Sequence, residues 1–429
     1  VTFPRICLVK QHLEDRSLPD VALAVRQEME RSRFAERVRP GARIAVGAGS
    51  RGISNIALIV KSVVRYWLDH GCRPFVFPAM GSHGSATAEG QARVLAGYGI
   101  TEQALGCPVV SSLEVVATGR TPEGIETYID RHAFESDAVM LVGRVKWHTD
   151  FDGRIESGLI KMAAIGLGKL AGAQSYHMAG RSLGLEQVIR SVFKQVKGTG
   201  KLLGGLAILE DARHATAHLE ALPVEAWEQR EPELLALAKS WRTTIPAKAL
   251  DLLIIDEIGK DISGTGMDTK VVNRSIQGLF NCYQDLPIIQ RIFVRDLSQG
   301  SGGNGIGMGM ADIVSDRLLA KVDWQATYLN SLTACNPEGS RMPVHFPTDR
   351  ECLERIAPTT GCLDTGQLRL CWIANTLRLD LLAVSENLLD ELLSKPQIEV
   401  ISEPLELPFD QEGNLPRLGE LVEAARGAA

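Results

Sequence analysis

Apolar residues recur in short blocks along the first half of the chain, and helical periodicity fills the gaps between them. Residues 42–46 form an apolar run that ends in Gly47-Ala-Gly49-Ser-Arg51-Gly52. Ile56, Ile59, Val60, Val63, Val64 and Trp67 then repeat at the three- and four-residue steps of one helix face, with a stop near Gly71. Residues 74–77 read as the next strand, ending at Met80-Gly-Ser-His83-Gly84, and a helix is expected from about Ala88 to Ala96. Residues 138–142 form a further strand, and a helix from about Leu183 to Lys197 precedes the apolar run 206–209. This alternation predicts βαβ units around a mostly parallel sheet.

Between Asp211 and Pro246 the texture turns rich in Ala, Glu and Leu, which predicts helix, and Pro246 reads as a linker. Residues 252–255, 291–294, 379–384 and 398–401 are strand-like, and the glycine-rich stretch 300–309 leads into a helix expected near Asp312. The expected fold is α/β: two α/β domains with mostly parallel sheets and an active site in the cleft between them. The expected division is 1–246, 247–410 and a C-terminal tail, 411–429. No repeat at a solenoid period is present.

The chain has 429 residues, 45% of them hydrophobic and 23% charged, an ordinary globular composition with room for sizeable cores. A formal net charge of -6 argues against a nucleic-acid-binding surface. No run of 18 apolar residues marks a membrane span, and the first residues lack a secretory pattern, so a cytoplasmic location is expected. The eight cysteines (Cys7, Cys72, Cys107, Cys282, Cys335, Cys352, Cys362 and Cys371) form no Cys-x-x-Cys pair, which fits reduced thiols better than a disulfide frame or a structural zinc site.

Titratable residues collect just after strands: Arg51, His83, His148, and Glu257 with Lys260. Ligands of open parallel sheets bind beyond the carboxyl ends of strands. The densest chemistry runs from Gly143 to His177 and includes His148, Glu156, Lys161 and His177. Lys161 sits among small and apolar residues, where desolvation makes an amine nucleophilic; the ordinary alternative is a snorkelling surface lysine. The steps from His148 to Lys161 and from Lys161 to His177 are 13 and 16 residues, which is no zinc-protease or zinc-finger spacing. Gly47-x-Gly49-x-x-Gly52 has the dinucleotide spacing, yet no acid ends the next strand. It suits a phosphate or carboxylate clamped by Arg51, or a plain turn with a solvated arginine. His83 lies in a turn too rich in glycine for core packing, and its structural and catalytic readings are balanced. His214 and His218, four apart, read as the surface of a helix.

These residues together resemble the nickel-pincer-nucleotide lactate racemase family of 2-hydroxyacid racemases and epimerases. The likeness lies in Val145-Lys-Trp-His-Thr-Asp-Phe-Asp-Gly-Arg-Ile-Glu-Ser-Gly-Leu-Ile-Lys161, in Met80-Gly-Ser-His-Gly84 and in Asp256-Glu-Ile-Gly-Lys260. The resemblance implies an isomerase in which Lys161 carries the nickel-bearing pyridinium mononucleotide through a thioamide and His177 binds the nickel. It implies that His83 and His148 are the two bases, on opposite faces of a small 2-hydroxyacid, and that Arg51 and Lys260 orient its carboxylate. Gly49 and Gly52 would help hold the cofactor phosphate, with Glu257 beside the cofactor, and cofactor-synthesis enzymes would be needed for maturation. The implied reaction passes through a planar 2-keto acid that is reduced again on its other face. The chain departs from lactate racemases at Ala48, where they have Asp, at Glu257, where they have Gln, and in a longer stretch between His148 and Lys161. No counterpart of the tryptophan that their second domain lends to the site is evident. Another 2-hydroxyacid, larger or more polar than lactate, is therefore expected. The residues alone leave open a sugar-acid dehydratase or lysine Schiff-base enzyme using Lys161 with Glu156. They also leave open a non-enzymatic protein that binds an anion through Arg51, Lys260 and the glycine loops.

Overall fold

The apolar stripe between Ile56 and Trp67 is one face of the helix Ile56–Asp69, and all six of its residues are buried. Burying one such side chain stabilises by about 1.5–3 kcal/mol over leaving it exposed, so this face anchors the helix. Gly71 ends it in the left-handed conformation, with φ +70°, where a Cβ is disfavoured. The structure, a computed structural model, describes residues 1–49 and 52–427. Arg51 lies outside the described residues.

In chain order the strands are β1 (Ile6–Gln11), β2 (Arg43–Ala48), β3 (Arg73–Pro78), β4 (Val115–Arg120), β5 (Glu126–Asp130), β6 (Ala138–Arg144), β7 (Leu202–Glu210), β8 (Thr216–Pro223), β9 (Ala249–Ile255), β10 (Ile288–Val294), β11 (Ile313–Ser315), β12 (Val344–Phe346), β13 (Leu370–Asn375), β14 (Arg378–Ser385) and β15 (Ile398–Val400). The chain divides into two units. One comprises residues 14–242 with 333–335, and the other 1–13, 243–332 and 336–429.

The unit of residues 14–242 has a sheet in the order β3-β2-β6-β7-β8 and a separate β4-β5 hairpin. β3, β2, β6 and β7 run parallel, and β8 closes the sheet antiparallel to β7. Apolar layers cover both faces of the sheet, one around Ile44, Val46, Met140 and Val142, the other around Ala45, Phe77, Val139 and Leu141. Two-sided burial is why these strands read as unbroken apolar runs.

The other unit has a sheet in the order β12-β11-β10-β9-β13-β14-β1-β15. Its β9–β13 half is parallel, while β14, β1 and β15 pair antiparallel. Both units are α/β with mostly parallel central strands.

The observed division differs from the expected one at both ends of the chain. β1 pairs with β14 and β15, so the first residues belong to the second unit. Residues 411–427 are no tail: Leu415, Leu418 and Val422 are buried in a core, and the Leu418 amide donates to Asp256 Oδ2 at 2.8 Å. Arg295 pairs with buried Asp256 and Asp349 and donates to the carbonyls of Leu415 and Pro416, which fixes the segment. The stretch expected as helix after Asp211 begins with strand β8, and helix covers only Trp227–Ser240. His214 lies in a turn with φ +60° and His218 on β8, so they share no helix face. Near Asp312 the chain forms β11 before the short helix Asp316–Leu319. Among the described residues no helix is long and apolar enough to cross a membrane.

Candidate active site

Register places the key loops on one edge of the first sheet. Ala48, at the end of β2, lies opposite Pro78 of β3 and Val142 of β6. The chain passes from β2 to β3 on one side and reaches β6 on the other, so the strand order reverses between β2 and β6. That reversal opens a crevice beyond the carboxyl ends, where ligands of such sheets bind. The loop carrying His83 follows β3 and the loop carrying His148 follows β6. They leave the sheet two strands apart, roughly 10 Å at ordinary strand spacing.

The His83 loop is shaped by glycine. Gly84 has φ +62°, and a Cβ there would run into the backbone of Gly90 at the start of the helix Ala88–Gly97. Thr87 caps that helix by accepting the Gly90 amide at 3.0 Å. On the other side, a Cβ on Gly81 would come within 2.9 Å of Ala173 Cβ and 3.2 Å of Ile165 Cγ2. The loop is thus seated on the helical stretch between Lys161 and His177.

The His148 loop is closed at its base by reciprocal amide bonds between Lys146 and Ser157, 2.9 and 3.1 Å. Buried Glu156 organises it from inside. Its carboxylate accepts the His148 amide at 2.5 Å and the Gly153 amide at 3.3 Å, and pairs with Lys239. Glu156 is therefore engaged in holding the His148 loop. His148 Nδ1 accepts the Asp150 amide at 3.0 Å, so the neutral ring carries its proton on Nε2.

Lys161 ends the short helix Leu159–Lys161, which continues as a π-helical turn, Met162–Gly166, and then Leu167–Leu183. Such π turns are frequent at functional sites. Glu231 caps the start of this stretch and accepts the Ile160 amide at 3.0 Å. Burial pushes the Glu231 carboxyl up to about 7, against the opposing pull of the Ile160 and Leu159 amides. His177 Nδ1 donates to the Ala173 carbonyl at 2.6 Å, which puts the ring's lone pair on Nε2. A histidine backed in this way can bind a metal through Nε2, although His70 makes the same bond to the Tyr66 carbonyl at 2.8 Å.

The Gly49 amide donates to the Val142 carbonyl at 3.2 Å and the Gly52 amide to the Tyr98 hydroxyl at 3.2 Å. Glu210, at the end of β7, joins this edge by accepting the Ser54 amide at 2.6 Å and pairing with Arg144. Glu257 and Lys260 belong to the other unit, after β9. There Glu257 pairs with Arg417 at 3.1 Å, and Lys260 Nζ donates to the Gly264 carbonyl at 2.8 Å.

Sequence reasoning missed Glu231, Glu210, Gln91 and Lys169. Only Lys169 left a trace, as the one charged side chain in the small and apolar run 162–173.

No protein-family model and no curated protein matches this chain. Among solved structures, the lactate racemase apoprotein from Thermoanaerobacterium thermosaccharolyticum is similar at 15% identity, over 68% of this chain and 74% of that one, with a TM-score of 0.42. At that level the likeness decides neither family nor activity.

Proposed function

We propose that the chain is a racemase or epimerase of a 2-hydroxyacid that works with a nickel-pincer nucleotide held by Lys161 and His177. The observation that carries the reading is the seating of the His83 loop on the helical stretch between these two residues. It is supported by the His177 tautomer, which puts the lone pair on Nε2, the atom that a metal would take as donor. Among the described residues no three His, Cys, Asp or Glu side chains converge as a metal site. A nickel ion here would have His177 as its protein donor and take its other ligands from an organic group, which fits a pincer. When bound, that group would supply a hydride acceptor and donor.

The protein's own part is proton handling and orientation. A 2-hydroxyacid gives up its hydroxyl proton on oxidation and regains one when the keto acid is reduced on the other face. Two imidazoles at near-neutral pH perform both transfers if one begins neutral and the other begins as donor. His83 and His148 are the two proton-transfer groups, one taking the hydroxyl proton as a neutral imidazole and the other returning a proton as an imidazolium. Arg51 anchors the substrate carboxylate as a bidentate cation.

Enantiopure 2-hydroxyacids incubated with protein produced alongside the cofactor-synthesis enzymes, read by chiral chromatography, test the reading. Interconversion of one of them is expected, and His83→Ala and His148→Ala should each abolish it. Wild-type rates in both variants would overturn the two-base assignment.

A further inference from the structure

Lys169 is fully buried, and its backbone has φ 54° and ψ -151°, a break inside the helix Leu167–Leu183. Both features are costly. A non-glycine residue holds that conformation only where its surroundings impose it, and burial of an ammonium is opposed by loss of its hydration. An apolar side chain would avoid the second cost and glycine the first, so the contacts of the ammonium must offset them. Lys169 Nζ donates to the Pro78 carbonyl at 2.7 Å and to Gln91 Oε1 at 2.7 Å, and lies 3.8 Å from Asp130 Oδ2. Gln91, also fully buried, donates in turn to the carbonyls of Gly81 at 2.9 Å and Met80 at 3.4 Å.

We propose that Lys169 and Gln91 are positioning residues that lock the His83 loop to the helical stretch bearing Lys161 and His177. Lys169 stands midway between those two, since 169 − 161 = 8 and 177 − 169 = 8. The break at Lys169 sets the direction of the helix that carries His177 relative to the turn that carries Lys161. Its ammonium grips the end of β3 directly and, through Gln91, the two peptides just before Ser82 and His83. One buried cation thereby ties the stretch from Pro78 to Gln91 to the helical stretch that carries Lys161 and His177. Burial lowers the Lys169 ammonium to about 8, with Asp130 opposing. For the reacting imidazole to lie on a fixed face of the substrate, this strut must be rigid. An error of about 1 Å in such positioning costs roughly 100-fold in rate.

The inference rests on the proposed function for its catalytic consequence but not for its structural one, and two readouts separate them. Gln91→Glu keeps an oxygen for Lys169 while removing both donations to the loop, and Lys169→Met removes the whole strut. Amide hydrogen exchange is followed by mass spectrometry in residues 79–87 and, as a control, in β6. Kinetic constants and the mass of Lys161 are measured on protein made with the cofactor-synthesis enzymes. In Gln91→Glu, loop exchange should accelerate about tenfold or more with β6 unchanged. Lys161 should stay loaded, and kcat should fall roughly 100-fold with KM little changed. Wild-type exchange in Gln91→Glu overturns the strut, whether or not Lys169→Met folds. Faster loop exchange with an undiminished kcat overturns its role in positioning His83. If even the wild type carries no adduct and turns nothing over, the proposed function fails, and the exchange result alone decides the strut.

Discussion

Glu231→Gln should make the protein's stability less dependent on pH. Glu231 is fully buried beneath the turn that carries Lys161, with Oε2 on the Ile160 amide and Oε1 without a hydrogen-bond partner among the described residues. Its carboxyl is raised from an ordinary 4.5 to about 7 by burial. The folded state therefore keeps a proton that the unfolded chain releases between these values. Stability from this group is fully present below the unfolded value and is lost as pH rises through the folded one. A rise from 4.5 to about 7 corresponds to about 3 kcal/mol lost between pH 4.5 and 8. Gln cannot titrate and keeps an oxygen for the Ile160 amide. Urea unfolding of both proteins at about pH 4.5, 6 and 8 can be followed by fluorescence, since Trp227 is buried on the same helix. The stability of the variant minus that of the wild type should rise by about 3 kcal/mol over this range. A difference that stays constant with pH would refute the buried, proton-holding carboxyl.

Gly81→Val should lower stability by about 1–3 kcal/mol in thermal or urea unfolding, because its side chain would be driven into Ala173 and Ile165. Glu156→Ala should cost about 2–4 kcal/mol by the same assay, since it orphans the His148 and Gly153 amides and leaves Lys239 without its partner. Arg295→Leu leaves buried Asp256 and Asp349 uncompensated, so a loss of about 3–5 kcal/mol and faster proteolysis near Leu415 are expected. His177→Ala should release nickel, by elemental analysis, while the organic adduct on Lys161 persists by mass. Retention of nickel at the wild-type ratio would remove His177 from the metal site.

The parts of the fold legible in the sequence are those whose signal is local. β2, β3 and β6 are apolar runs because both faces are covered, and the helix Ile56–Asp69 shows its buried stripe directly. β8 was illegible because Thr-Ala-His-Leu-Glu-Ala-Leu-Pro has helix-like composition, which pairing to β7 overrides. β1 hides its allegiance for another reason: Val9 lies opposite Leu382 and Val400, partners far beyond any local pattern. At the site, histidines and lysines after strands stand out by type and position. Glu156 also stands out, beside His148, but Glu231 and Gln91 do not, because they act only through burial and contacts made by folding.

In the proposed function Lys161 is the attachment point of a nickel-bearing nucleotide, and a peptide mass map is the decisive check. The protein is made with and without the cofactor-synthesis enzymes, digested, and the fragment containing Lys161 weighed. With those enzymes, added mass confined to Lys161 and nickel near one equivalent in the intact protein are expected. An unmodified Lys161 fragment under both conditions, or added mass on a different lysine, would contradict the account.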